Sequence, residues 1–262
     1  MNISVCITTF NEEESVGALL DSLLVQTRKP DEIVIVDGGS GDKTVEIIRH
    51  YQKKDRRIRL LVEKGTIAHG RNTAIEISKF PIIAQIDAGC IAKKDWLGKI
   101  LQPFTHPEID MVAGFYEMKA KTPLQRVVNV FHGVPPERYD PSTFLPSARS
   151  VAFRKVLWEK IGGYSKRFSR AGEDTLFFYQ AVKTSARIAR VGDARVIWEE
   201  TEKLSFKKSL KKFFNYAKGD ALGGIWWHPG KQLSSHNIKI VLTIPNFGIG
   251  ADKKQRKGIL YL

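Results

Sequence analysis

The sequence predicts an α/β fold: a mostly parallel central sheet flanked by helices, with a helical extension at the C-terminus. Three observations carry that expectation. From residue 3 onward, short β-branched apolar runs alternate with amphipathic stretches of helical spacing, the order that builds right-handed strand–helix–strand units. Two of the runs, 33–36 and 82–86, end at an aspartate followed at once by Gly38-Gly39 or Ala88-Gly89, so each strand surfaces at an acidic turn. Past residue 200 the strands stop and a basic amphipathic stretch begins.

Taken in order, Ile3, Val5 and Ile7 mark a first strand over 2–9. Val16, Leu19, Leu20, Leu23 and Leu24 recur at the spacing of one helix face over 15–25, and Pro30 separates that helix from the next strand. Strand 33–36 runs into Gly38-Gly39-Ser40-Gly41-Asp42, where Ser40 or Asp42 caps a helix carrying Val45, Ile47 and Ile48. A strand at 58–62, a helix at 67–78, a strand at 82–86 and a helix at 96–101 follow. Residues 111–115 form the last clear strand of the repeating pattern. Five prolines between 123 and 146 interrupt the next stretch, which reads as a helix near 124–131 and then a long loop. A strand at 150–154, a helix to Ile161 stopped by Gly162-Gly163, a helix at 173–183 and two strands at 188–191 and 194–198 complete the alternation. Helix 204–216 sets Leu204, Phe206, Leu210, Phe213 and Phe214 beside Lys207, Lys208, Lys211 and Lys212. The chain divides accordingly into 1–116, 117–200 and 201–262.

Composition narrows the classes. With 262 residues and 42% hydrophobic content the chain can bury a sizeable core. Its 42 Lys+Arg against 28 Asp+Glu leave a net charge of +14, which attracts phosphate-bearing partners of any kind. Two cysteines, Cys6 in a strand and Cys90 in a turn, make no disulfide framework, and a reducing cytoplasm is expected. No charged start precedes an apolar core, and no apolar run reaches eighteen residues, so neither a signal peptide nor a bilayer span is expected. The six histidines show no zinc spacing, and neither a Gly-x-Ser-x-Gly elbow nor a Walker lysine pattern occurs.

Six motifs stand in order along residues 3–198: Thr8-Thr9-Phe10-Asn11-Glu12-Glu13, Asp37-Gly38-Gly39-Ser40-Gly41-Asp42-Lys43-Thr44, Gly70-Arg71-Asn72, Asp87-Ala88-Gly89, Gly162-Gly163-Tyr164 and Gly172-Glu173-Asp174. Each is weak alone. Together they resemble the signatures of the inverting glycosyltransferases of family 2, which have the GT-A (Rossmann-like) fold. That resemblance implies transfer of a sugar from a nucleotide-diphosphate donor such as a UDP sugar, with inversion, to a hydroxyl acceptor, and cell-envelope polysaccharide biosynthesis as a setting. It assigns the donor to 1–116 and the acceptor and the chemistry to 117–200. Asp174 is implied as the general base; Thr8, Thr9, Phe10, Glu12, Asp37, Arg71, Asp87 and Glu173 are implied as donor contacts; and Asp87 is implied as ligand to Mg²⁺ or Mn²⁺.

Read as residues, the same positions have plainer alternatives. A carboxylate at a strand end, Asp37, suits a ribose or base, yet an aspartate there also merely makes a turn. Thr9, Asn11 and Glu12 line the neighbouring turn, and Glu13 and Glu14 suit the first turn of a helix. Arg71 either forks onto a phosphate or base or is a solvated surface arginine. Asp174 at a helix start stays ionised, as a base must, but first-turn acids also simply complement the helix dipole. Two departures from the family weaken the metal expectation. The second carboxylate of its Asp-x-Asp is Gly89 here, and Trp198-Glu199-Glu200 stands where many relatives carry a histidine. Mg²⁺ is nonetheless held by one carboxylate when phosphates and waters complete its shell. Cys90 reads as a buried small hydrophobe, not a soft ligand.

The basic helix near 204–216, Trp226-Trp227-His228 and Lys253-Lys254-Gln255-Arg256-Lys257 suit either packing on the core or an anionic membrane surface. A glycan or lipid-linked acceptor and a peripheral place at the inner membrane face follow from that second reading. Two rivals to a glycosyltransferase are a nucleotidyltransferase and a basic binding module for nucleotides or membranes. The first requires a basic glycine-rich loop where Glu12-Glu13 stand. No nucleic-acid motif organises the charge, and no nucleic-acid partner is expected.

Overall fold

The computed structural model describes residues 1–120, 122–123, 125–126, 129, 133–168, 171–199 and 206–225. Its centre is one eight-stranded sheet: β1 Ile3–Thr9, β2 Glu32–Asp37, β3 Ile58–Val62, β4 Ile82–Gln85, β5 Cys90–Ala92, β6 Met111–Lys119, β7 Val151–Arg154 and β8 Ile188–Glu199. The spatial order is β3-β2-β1-β4-β7-β6-β8-β5. Pairs β1–β2, β1–β4, β2–β3 and β6–β8 are parallel, whereas β7 runs antiparallel to β4 and β6, and β5 antiparallel to β8. Reversal at β7 restores the direction at β6, so β1, β2, β4, β6 and β8 all end at one rim.

Alternation along the strands fills both faces. In β1, Ile3, Val5 and Ile7 join one apolar cluster and Cys6 the other. Helices α1 Val16–Leu24, α2 Thr44–Lys54 and α4 Trp96–Leu101 cover the first face through Leu19, Leu20, Leu23, Ile48, Trp96 and Leu97. Helices α3 Ile67–Glu76, α5 Lys155–Ile161 and α6 Glu173–Lys183 cover the second through Ala68, Ile75, Leu157, Phe177 and Phe178. The last described helix, α7 Phe206–Gly223, reaches α6 through Ile225, which is buried with Phe168 and Leu176.

Several elements differ from expectation for identifiable reasons. The two strands expected at 188–191 and 194–198 are one strand, since Gly192-Asp193 bulges where Ala113 pairs with Arg190 but Phe115 with Arg195. Strand β6 continues to Lys119 against β8, past Phe115 and across the 116/117 boundary. Cys90, expected in a turn, opens β5 and is fully buried as a small hydrophobe, and burial pushes its thiol far up. Ser40 does not cap α2: its hydroxyl donates to Asp37, while Asp42 takes the Thr44 amide, one step before the helix. The helix expected at 124–131 falls mostly outside the described residues, as do 201–205 and everything past 225.

Among the described residues no helix is long and apolar enough to cross a membrane.

Candidate functional site

The carboxyl ends of β1, β2 and β4 gather the acidic turns. Thr9 pairs with Asp37 in the β1–β2 ladder, and the β1–β4 ladder ends at Cys6 and Gln85, two residues before Asp87. Asp37 and Asp87 therefore flank β1 on the same rim, two strand spacings or roughly 10 Å apart.

Asp37 is fully buried and its carboxylate is heavily committed. It accepts from the Thr9 hydroxyl at 2.8 Å, the Gly39 and Ser40 amides at 3.0 and 2.7 Å, and the Ser40 hydroxyl at 2.6 Å. The turn depends on Gly39, whose φ of 91° only glycine adopts freely. Thr9, implied as a donor contact, thus acts on Asp37 from a buried position.

The turn after β1 is braced against this one. Asn11 donates its amide to Ser40 and accepts the Gly41 amide at 2.9 Å through Oδ1, the Glu12 amide reaches Thr44 Oγ1 at 2.7 Å, and Glu13 Oε2 accepts the Lys43 amide at 2.9 Å. Glu12 also takes the Ser15 hydroxyl, so its carboxylate holds the start of α1. Phe10 is left 61% exposed at the mouth, with its ring beside Gly38.

Arg71 is where the second half of the chain meets the first. Helix α3 lies close on β1 because Gly70 has no side chain: a Cβ there would come within 3.1 Å of Thr8 Cγ2. The next residue, Arg71, is 4% exposed, so the solvated-surface reading fails. Its Nη2 donates to Asp87 Oδ1 at 3.0 Å, its Nε stands 3.5 Å from Glu173 Oε1, and its guanidinium lies 5.6 Å from the Tyr164 ring centre. Thr8, Arg71, Gln85 and Asp87 line one small crevice. Asn72 fixes the neighbouring motif by accepting the Tyr164 amide and donating to its carbonyl, both at 2.8 Å. The Tyr164 hydroxyl in turn donates to Gln85. Gly70-Arg71-Asn72, Gly162-Gly163-Tyr164 and Glu173 are thereby one connected unit. The role of Asn72 as the clamp between two motifs is not visible in their sequence order.

Glu173 and Asp174 open α6 after Gly172, whose φ is 103°. Side-chain bulk at Gly172 is impossible, since a Cβ would sit 2.8 Å from the Gly219 backbone in α7. Glu173 is 3% exposed and its Oε2 has no hydrogen-bond partner; Arg71 Nε has none either, since its 3.5 Å approach to Glu173 Oε1 is too long for a good hydrogen bond. Burial, reinforced by the Asp174 charge and opposed by Arg71, pushes the Glu173 carboxyl up to about 7. Arg71 is raised as well: burial favours its neutral form, but Asp87, Glu173 and Asp174 together outweigh that and hold it charged. Asp174 is half-buried and accepts the Thr175 amide at 2.7 Å.

Asp37, Asp87, Arg71, Glu173 and Asp174 thus meet at one rim, with Thr8, Thr9, Phe10 and Glu12 at its mouth or beneath it. Among the described residues no group of three or more His, Cys, Asp or Glu could hold a metal ion by itself. Asp87, about one-third exposed on its side chain, fits a hard cation only as one oxygen ligand among several from phosphates and water. The sequence points to basic side chains of the proline-rich loop as helpers of the leaving group without singling one out; Arg149, just before β7, is the basic residue of that loop packed on Tyr116 and Trp198.

Residues 4–161 match the family described as Glycosyl transferase family 2. The chain is 30% identical over 159 residues to glycosyltransferase AglE of Haloferax volcanii, covering 59% of this chain and 49% of that protein. It spans about half the length of the curated relatives it matches. Among solved structures it is similar to S. aureus TarS 1-349 in complex with UDP-GlcNAc, with TM-score 0.67 and 17% identity over 98% of this chain and 78% of that one. It is also similar to mannosyltransferase PcManGT from Pyrobaculum calidifontis in complex with GDP-Man and Mn²⁺, with TM-score 0.65 and 18% identity over 92% of this chain and 70% of that one. The fold is shared with both, and it is the GT-A type.

Proposed function

Since the chain belongs to glycosyl transferase family 2, we propose that it is an inverting glycosyltransferase that moves a sugar from a nucleotide-diphosphate donor to a hydroxyl of a glycan or lipid-linked acceptor. The observation that carries this reading is the convergence of Asp87, Arg71, Glu173 and Asp174 at the rim where Asp37 ends β2. Asp174 removes the proton of the acceptor hydroxyl as its oxygen attacks the anomeric carbon from the face opposite the leaving nucleoside diphosphate. It stands in the first turn of α6, at the positive end of the helix dipole. Arg71 and Asp87 orient the donor, Glu173 holds Arg71, and Phe10 gives the base a face to stack on. Asp37 shapes the pocket floor through the turn it ties together.

A divalent cation, Mg²⁺ or Mn²⁺, would be held by Asp87 together with the donor's phosphates, where it offsets charge on the departing diphosphate. Residues 1–116 hold the donor in this reading, 117–200 the acceptor and the base, and 201–262 form the basic extension. The test is a thermal-shift screen of nucleoside diphosphates with Mg²⁺ or Mn²⁺, read beside release of nucleoside diphosphate from matching sugar donors. A ligand at 100 times its Kd adds about 2.7 kcal/mol, roughly 5–10 °C for a chain of this size. No shift with any base, and no donor turnover, sinks the reading.

Helix α7 supports a peripheral place on the inner membrane face, with UDP-sugar chemistry in envelope polysaccharide synthesis as its setting. Leu210, Phe214 and Leu222 are exposed on a helix that also carries Lys211 and Lys218. The full chain should co-sediment with vesicles containing anionic lipid and lose that association when Leu210 and Phe214 become Ser; retention by the variant speaks against it.

A further inference from the structure

Arg149 has no task in the chemistry above, yet it stands at the same rim. The β4–β7 ladder pairs Ile82 with Arg154 and Gln85 with Val151. Extending that antiparallel register by two residues brings position 149 level with Asp87. Its guanidinium lies 4.1 Å from the centre of the Trp198 ring on β8 and 4.8 Å from that of Tyr116 on β6. The Lys212 ammonium of α7 stands over the same Trp198 ring at 4.5 Å. Two cations are therefore gathered about one indole.

Among the described residues Arg149 forms no ion pair. Its side chain is bonded to the Ser147 hydroxyl at 3.4 Å, and its Nε is buried with no hydrogen-bond partner. Burial disfavours its charge, but the Tyr116 and Tyr216 hydroxyls and the Asp87 carboxylate more than offset that, so it stays a cation. The aromatic faces contribute about 0.5–2 kcal/mol of attraction and supply no counter-charge. Leaving a buried guanidinium without an ion-pair partner is unfavourable until an anion arrives. The guanidinium fork matches the paired oxygens of a phosphoryl group in bidentate geometry, as it does those of a carboxylate. Asp87 nearby is already engaged by Arg71, and Gly89 removes the second carboxylate that would draw a metal to this spot.

We propose that Arg149, seated on Trp198 and Tyr116 opposite Asp87, is a fixed phosphoryl-binding cation of this site. The inference rests on the donor-binding reading above and deepens it: a protein guanidinium takes over part of the diphosphate charge that a metal ion carries where Asp-x-Asp is complete. The phosphoryl group belongs either to the donor's diphosphate or to a phosphate on the acceptor, and the two are separable.

Calorimetric titration of the full chain decides it, using UDP, GDP, uridine, guanosine, inorganic pyrophosphate and glycerol 3-phosphate, each with Mg²⁺ and with EDTA. Arg149→Gln should weaken the nucleoside diphosphate that the parent binds by roughly 10- to 100-fold, the loss of charge-assisted hydrogen bonds, while nucleoside affinity stays within about twofold. The loss should be greater in EDTA, and Arg149→Lys should lie between parent and Gln variant. A Gln variant with parent-like diphosphate affinity overturns the proposal, as does equal loss of nucleoside and diphosphate, which marks a structural role. If the Gln variant does not fold, Arg149→Lys decides: weaker diphosphate at an unchanged melting midpoint supports the proposal, and parent-like affinity overturns it. Arg149-dependent binding of glycerol 3-phosphate without that of UDP or GDP assigns the group to the acceptor. If the parent binds no nucleoside or nucleotide, the donor reading fails, while Arg149-dependent binding of pyrophosphate or glycerol 3-phosphate still upholds the phosphoryl site, and its absence ends both.

Discussion

Replacing Asp174 by Asn lowers kcat for sugar transfer by roughly 10²- to 10⁴-fold, the usual contribution of a positioned general base. Asparagine keeps the size of the side chain and an oxygen that accepts the Thr175 amide, now 2.7 Å from Asp174 Oδ1. It cannot accept a proton from the acceptor. Asp174 is half-buried at a helix start, and losing its charge relieves repulsion on Glu173, so the thermal midpoint should stay at or above that of the parent and nucleoside diphosphate affinity should match it. Steady-state kinetics beside a melting curve separate the two effects. A variant that melts as the parent does and turns over at the parental rate removes Asp174 from the chemistry.

The neighbouring carboxyl has the opposite energetics. Burial and the Asp174 charge raise Glu173 from 4.5 to about 7, so between those values the native chain keeps a proton that the unfolded chain releases. The unfolding free energy contributed by Glu173 is therefore full below pH 4.5 and is lost as the pH rises to about 7, by on the order of 3 kcal/mol. Elsewhere Glu32, Asp55 and Glu117 have depressed values and act with the other sign in acid, so the difference between parent and variant is the informative quantity. Glu173→Gln should remove the decline between pH 5 and 7 and be more stable than the parent at pH 8, measured by urea unfolding at each pH. Parallel curves for the two proteins would mean that Arg71 keeps Glu173 ionised throughout.

Much of this arrangement was legible in the chain. Apolar runs ending at Asp37 and Asp87 located the rim, because a buried parallel strand must emerge somewhere, and β-branched residues mark how far burial extends. Gly172-Glu173-Asp174 announced a helix start with acids in its first turn. What stayed hidden depends on contacts between distant segments. No local pattern says that Asn72 clamps Tyr164, that Arg71 is buried between Asp87 and Glu173, or that β7 enters beside β4 just after Arg149. The last follows only from an antiparallel strand inside a sheet whose sequence rhythm reads as parallel. Gly192-Asp193 misled for a related reason: a bulge and a turn use the same residues, and only the pairing of β8 with β6 distinguishes them. Asp37 shows what motif reading leaves out, for its carboxylate also ties the turn together through Thr9, Gly39 and Ser40.

Gly172 and Gly219 press backbone to backbone, with no side chain between the turn before Asp174 and α7. Soft contacts absorb small shifts by rotamer changes, whereas bare main chains in contact can only move together. The direction of Asp174 is thus set from the outer helix as much as from the sheet beneath it, and whatever seats α7 also seats that carboxylate.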